Sequence, residues 1–331
     1  MSLLQNTNQS SRQVLVLENN NREISSDKAG PFSQPVTAET AQEISEENPA
    51  GTKWMETITP HSNLFTLNLK ELWSYRDLLL ILMRRDIVAI YKQTILGPLW
   101  FVLQPILTTI TFVIVFSKAA RLSTMGLPPL LFYLSGLVLW TYFSECVIRT
   151  STFFKDSSPI LSKVYFPRLI VPLSLILTNL VKFSIQLGLF FVIYLYYLFI
   201  ERTPIRPNGY ALLLPVLVLM VALLGLGAGM IISSLTTRYK DLAHLTTFGV
   251  QLLMFTSPVI FPLSSFGTGV YGLVIRANPM TGIIEAFRYS FLGKGELNWP
   301  LLGYDAVCIG VMLLLGVVIF NSIEKSFVDS I

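Results

Sequence analysis

Six long apolar runs set the first limit on what this chain can become. They lie near residues 98–118, 127–150, 169–200, 208–235, 243–263 and 302–322. About 20 apolar residues in helical form cross the hydrocarbon core of a bilayer. In lipid, only helices and closed barrels satisfy every backbone N–H and C=O internally, and runs of this length are too long for barrel strands. The expected fold is therefore an all-α integral membrane protein with six transmembrane helices. Composition agrees: 13% of residues are charged and 52% hydrophobic, mean hydropathy is +0.59, and a soluble domain carries about 25% charge.

The formal net charge of +4 conceals an asymmetry. Residues 1–60 hold four basic and eight acidic side chains, a net of −4, so the remainder carries +8. The basic excess sits in the membrane-associated part, where it sets topology and meets anionic headgroups; no nucleic-acid partner is expected. Lys and Arg at the span ends, from Arg76, Arg84, Arg85 and Lys92 through Arg149, Lys155, Lys163 and Arg168 to Arg238, Lys240 and Lys325, favour both termini on the cytosolic side. Lys118, Arg121, Arg202, Arg206, Arg276, Arg288 and Lys294 then fall outside. Residues 1–60, rich in Asn, Gln, Ser, Glu and Thr and without sustained periodicity, read as a disordered cytosolic tail with no apolar leader. Cys146 and Cys308 are the two cysteines, and His61 and His244 the two histidines. Their spacing gives neither a disulfide framework nor a metal site. Gly267, Gly269 and Gly272 spell GxGxxG, but without the strand and following helix of a dinucleotide fold. No GxxxxGK[ST] phosphate loop occurs.

The stretch RRDIVAIYKQTILGPLW, residues 84–100, precedes the first run. At 100° per residue, Ile87, Val88, Ile90, Tyr91 and Ile95 share one face, and Arg85, Asp86, Ala89, Lys92 and Gln93 the other. This pattern predicts an amphipathic helix lying at the membrane surface within residues 68–96. Gly97-Pro98 ends it and turns the chain into the first span. Between the second and third runs, KDSSPILSKVYFPRLIVP offers Ser158 as an N-cap, Pro159 at the first helical position and Pro167 as a stop. A helix of about two turns at 159–166, held between two spans, suits docking into a cleft of a cytosolic partner. Residues 266–292, broken by Gly267, Gly269, Gly272, Pro279 and Gly282, cannot cross as one straight helix. A re-entrant helical pair or an extracytoplasmic cap before the last span fits them better. Gly225 and Gly229 form a GxxxG suited to close packing within the fold.

Several of these pieces occur together in a known order: RRDIVAIYKQTILGPLW with Gln104-Pro105, the loop SPILSKVYFPR, RYKDL leading to SPVIF at 257–261, and Asn278-Pro279 with Arg288. Over about residues 68–322 the chain resembles the permease subunits of type-two ABC exporters, in the branch that moves O-antigen, capsule or teichoic acid. The resemblance implies a homodimeric permease domain over 97–325 in the bacterial cytoplasmic membrane, with no enzymatic activity and no cofactor of its own. ATP and Mg would be held by two separate ATP-binding cassette subunits. Ser158, Pro159, Ile160, Leu161, Lys163, Val164 and Tyr165 would form the coupling helix that meets them, and Arg85 and Lys92 would help clamp them. The cargo would be a lipid-linked polysaccharide. A permease for a lipid or drug is the runner-up; a membrane-embedded glycan-modifying enzyme would need a convergent His, Asp or Glu set that the residues do not supply.

Sugars present apolar C–H faces, so flat rings can support a sliding polymer. Trp100, Phe101, Phe112, Phe132, Tyr133, Trp140, Tyr142 and Phe143 crowd the first two runs and are the aromatic channel candidates, although aromatics also belt membrane interfaces. Glu145 and Lys182 stand within apolar runs, in the halves of neighbouring helices expected nearest the cytosol. Charges in such places pair or line water, so they are candidates for an ion pair or for the inner channel entrance.

Overall fold

The computed structural model describes residues 69–92, 96–153, 166–239, 241–267 and 269–328. All belong to the unit Ser62–Ile331. The expected tail at 1–60 and the coupling-helix residues 159–165 lie outside the described residues. Among the described residues there are helices and no strands. In chain order the α-helices are α1 (Leu69–Ser74), α2 (Arg76–Lys92), α3 (Trp100–Phe112), α4 (Pro129–Ser151), α5 (Ile170–Phe199), α6 (Leu214–Arg238), α7 (Leu242–Phe255), α8 (Val270–Ala277), α9 (Thr281–Leu292) and α10 (Trp299–Val328). α3 continues without a break into π-helical turns over Val113–Ala119.

Five stretches are long and apolar enough to cross a membrane: Gly97–Ala119, Pro129–Ser151, Ile170–Phe199, Gly209–Thr237 and Trp299–Ser322. The run expected to span at 243–263 behaves differently. Its helix, α7, has 14 residues and ends at Phe255. Pro258 follows; it has no N–H to give a helix and disfavours the helical conformation at Ser257. At 1.5 Å per residue α7 is about 21 Å long, short of the roughly 30 Å hydrocarbon core. The fifth apolar run is therefore a shorter helix followed by turns over 256–260.

The core is built around α4. α5 and α6 pack on it, and α6 packs in turn on α10. Glycines permit the closest of these approaches. A Cβ at Gly225 would lie 2.6 Å from Cys146 Cβ, and one at Gly229 2.5 Å from Thr150 Cβ, both on α4. On the other side of α6, a Cβ at Gly227 would lie 2.8 Å from the backbone N of Leu313 in α10. The GxxxG thus serves packing inside one chain, with a third glycine between its ends for a second neighbour.

α2 begins at Arg76, eight residues ahead of the amphipathic stretch, and lies against α5. Leu82 is buried, and Tyr75, Leu78 and Leu79 pack on the core. Farther along, Arg85, Ala89 and Lys92 are exposed while Ile87 and Val88 are half-buried. Residues 93–95 are outside the described set. Gly97 then adopts φ +50°, which a side chain would resist, and Pro98 sits in the following 3-10 turn. That is the corner between α2 and the first span.

Residues 270–292 form two helices, α8 and α9, joined at Asn278-Pro279. α9 is buried along most of its length, whereas α8 exposes Val270, Tyr271, Leu273 and Val274. With 8 and 12 residues, neither helix can cross a bilayer.

Candidate functional site

Two polar centres are set into this apolar scaffold, one toward each end of α4. The first uses the C-terminal half of α4. Glu145 and Arg149, one turn apart, meet through Arg149 Nε and Glu145 Oε2 at 3.6 Å. Lys182 of α5 brings its Nζ to 3.2 Å from the same Oε2. Lys182 also lies over the Phe101 ring of α3, 5.8 Å from its centroid. Three spans are tied here, and two cations share one carboxylate, which leaves the cluster net positive. The Lys182 side chain is 12% exposed and Glu145 is 40% exposed, so the cluster sits at an edge rather than in the dry interior.

The same end of the bundle carries the end of α4 and Phe166, the described residues that flank 154–165. Thr236 Oγ1 of α6 donates to the Ser151 carbonyl at 2.6 Å. Phe153 is buried and stacks against Phe320 of α10, centroids 5.6 Å apart. Phe166, where the described chain resumes, is buried as well. Phe153 and Phe166, the described residues on either side of 154–165, are thus both fixed in the core; Ser158, Pro159, Ile160, Leu161, Lys163, Val164 and Tyr165 lie outside the described residues. Of the other coupling candidates, Arg85 is exposed and paired with its neighbour Asp86 at 2.7 Å, and Lys92 is exposed.

The second centre gathers the N-terminal part of α4, the turn after α7, and α9. Its hub is Arg288, fully buried. Nε donates to Ser135 Oγ at 3.2 Å. Nη1 donates to the Pro258 carbonyl and to Glu285 Oε1, the latter at 3.5 Å. Nη2 donates to the carbonyls of Val259 at 3.0 Å and Phe132 at 3.3 Å. The guanidinium has five N–H donors, and five acceptors surround it. Its face lies 3.8 Å from the Phe132 ring centroid, a close cation–π contact. Gly136 makes the room: a Cβ there would stand 3.0 Å from Nη2. Glu285, also buried, accepts from the backbone N–H of Leu263 at 3.3 Å.

The link between α8 and α9 is held to the same centre. Asn278 Nδ2 donates to the Thr256 carbonyl at 3.3 Å, and Asn278 Oδ1 accepts from Met280 N–H at 3.0 Å. Thr281 Oγ1 donates to the Ile275 carbonyl, closing the hinge between the helices. Asp305 of α10, wholly buried, places its carboxylate against Gly282 at the start of α9, where helix N–H groups favour negative charge.

These contacts revise the sequence reading in three ways. Arg288 was expected among outside topogenic charges and is instead a buried cross-link; the signal was its place in an otherwise apolar helix, with Glu285 three residues before it. Asp305 was missed, although it is an acid inside an apolar run and so carried the same cue as Glu145. The aromatic channel set divides. Phe132, Tyr133, Trp140, Tyr142 and Phe143 are buried in the core of the single chain; only Trp100, Phe101 and Phe112 keep exposed surface, Trp100 most of all.

Comparison with known proteins fits this architecture. The family model for ABC-2 type transporters matches residues 77–292, from α2 through the α8–α9 pair. The O-antigen export system permease protein RfbA of Myxococcus xanthus is 30% identical over 268 residues, which is 80% of this chain and 98% of that protein. A protein of the same name from Klebsiella pneumoniae is 23% identical over 254 residues, 76% of this chain and 94% of its own. With its multiple membrane-spanning helices and a family match over well more than half its length, the chain belongs to the ABC-2 type transporters, as a membrane subunit of the transport machinery.

Proposed function

We propose that this chain is the permease of an ATP-driven exporter for a lipid-linked polysaccharide such as O-antigen or capsule. The observation that carries the reading is the near full-length match to a protein named as an O-antigen export permease. In this reading the chain sits in the bacterial cytoplasmic membrane with both termini in the cytosol. Two copies enclose one channel and bind two ATP-binding cassette subunits, which hold the ATP and Mg. Loop 154–165, rooted at Phe153 and Phe166, docks into the ATPase, and Arg85 and Lys92 on α2 flank that contact. ATP binding draws the ATPases together, and the permease responds because the nucleotide-bound partner has different affinity for its channel states. Trp100, Phe101 and Phe112 supply the rings along which sugar faces slide. The Glu145–Arg149–Lys182 cluster stands at the inner entrance and the α8–α9 pair at the outer mouth.

The test of partnership is co-expression with the cognate ATPase and purification in mild detergent. Wild-type permease is expected to retain the ATPase. Val164→Glu or Tyr165→Glu should release it while the permease stays monodisperse. A preparation that never retains an ATPase, or one in which neither change affects retention, would remove the exporter assignment. A permease for a lipid or drug gives the same biochemical result and is separated by loss of surface glycan on gene deletion.

A further inference from the structure

On the side of α5 away from Lys182, the bundle contains a cavity of about 560 Å³ that no part of the transport reading uses. Its walls come from α5 and α6, which both pack on α4 but touch one another little. Leu180 and Leu187 of α5 face Leu219 and Ala222 of α6 across it, Tyr142 of α4 forms part of its lining, and Leu79 of the surface helix α2 borders it. The stretch of α5 that lines it, Leu173–Leu187, is about 21 Å long, so the slot is elongated along the helix.

The lining is almost wholly apolar, with Ser184 and Tyr142 its two hydroxyl-bearing residues. Ser184 already donates to the Leu180 carbonyl of its own helix at 2.8 Å. The Tyr142 hydroxyl is buried and makes no hydrogen bond among the described residues, a single polar group where a water would need two or more partners. The remaining walls are hydrocarbon, so water would find no partners there, and an empty slot would forfeit dispersion contacts along both helices. Leu219 and Ser184 are exposed at its margin, so it opens sideways, and both walls are membrane spans. The slot is continuous with whatever solvates those spans.

From this geometry we infer that the slot between α5 and α6 is a binding site for one acyl chain of a bilayer phospholipid. Through Leu79, the occupied slot touches α2, so the bound chain supports the surface helix that leads to Arg85 and Lys92.

The test uses the full-length protein in vesicles of phosphatidylethanolamine and phosphatidylglycerol doped with a phospholipid bearing a diazirine on one acyl chain. After irradiation, adducts are mapped by peptide mass spectrometry. Labelling of 173–187 and 214–226 should exceed that of 311–315 on α10, whose Val311, Leu314 and Leu315 are simply exposed. Ala222→Phe fills the slot and should lower slot labelling about fourfold, the loss expected when one methylene's burial is removed, with 311–315 unchanged. Ser184→Phe, at the exposed margin and so tolerant of added bulk, should act in the same direction. Equal labelling of slot and α10, or labelling untouched by both variants in folded protein, would overturn the inference. So would a slot labelled by a polyprenyl-phosphate probe and not by phospholipid, which would assign it to the cargo's carrier.

Discussion

α4 and the first span have the same length, 23 residues, and opposite surroundings. In its most apolar window α4 is 78% buried inside the chain, the first span 11%. Yet α4 is the least apolar of the five long spans. In water the most apolar segment would seek the centre. In lipid it gains nothing by doing so, because the tails outside are as apolar as the interior; packing and hydrogen bonds decide instead. α4 wins the centre with Ser135, Gly136, Thr150 and Ser151, which let neighbours approach and offer acceptors. The first span, with Leu107, Ile110, Ile114 and Val115 exposed, keeps its bulk for lipid or for a second copy.

That contrast is most exposed to test at Arg288, which grips α4 by Ser135 and Phe132. Arg288→Ala leaves Glu285 buried without its partner and should cost about 3–5 kcal/mol, read as a large fall in the detergent unfolding midpoint. Gly229→Val drives a branched side chain into Thr150 and should cost about 1–3 kcal/mol, while Val115→Ile, an enlargement on the first span, should leave the midpoint unchanged. A weaker effect is expected at the ion-pair cluster. Glu145→Lys and Lys182→Glu should each destabilise by about 1 kcal/mol, as partly exposed pairs do, and the double exchange should recover much of the loss. Failure of that recovery would reduce the pair to two independent side chains. Smallest of all, Ile114→Ala should change the stability of the isolated chain by less than about 0.5 kcal/mol; a larger loss would mean that the first span is held from within like α4.

The sequence made the spans legible because hydropathy and length report them directly, and the Gly97-Pro98 corner and the Asn278-Pro279 hinge were marked by the residues that force them. The order of burial among spans was hidden for the reason just given: apolarity does not rank helices in lipid. The fifth apolar run looked continuous because a hydropathy window averages over Pro258, whereas the helix stops before it. The burial of Arg288 was hidden because a positive charge near a span end reads as topogenic, and only the fold brings Ser135, Pro258 and Val259 around it. The Lys182–Glu145 contact joins residues 37 positions apart and could be named from the sequence only as one of two options. Of the aromatic candidates, spacing alone could not separate core rings from those with free surface, since both kinds occur on the first two spans.

Export of a polysaccharide by this protein is tested most directly by the location of that polymer in cells depleted of it. The predicted result is full-length lipid-linked polysaccharide accumulating on the cytosolic side, hidden from a glycan-binding reagent added outside, with surface display restored when the gene is returned. Surface polysaccharide at its normal level in depleted cells would contradict it.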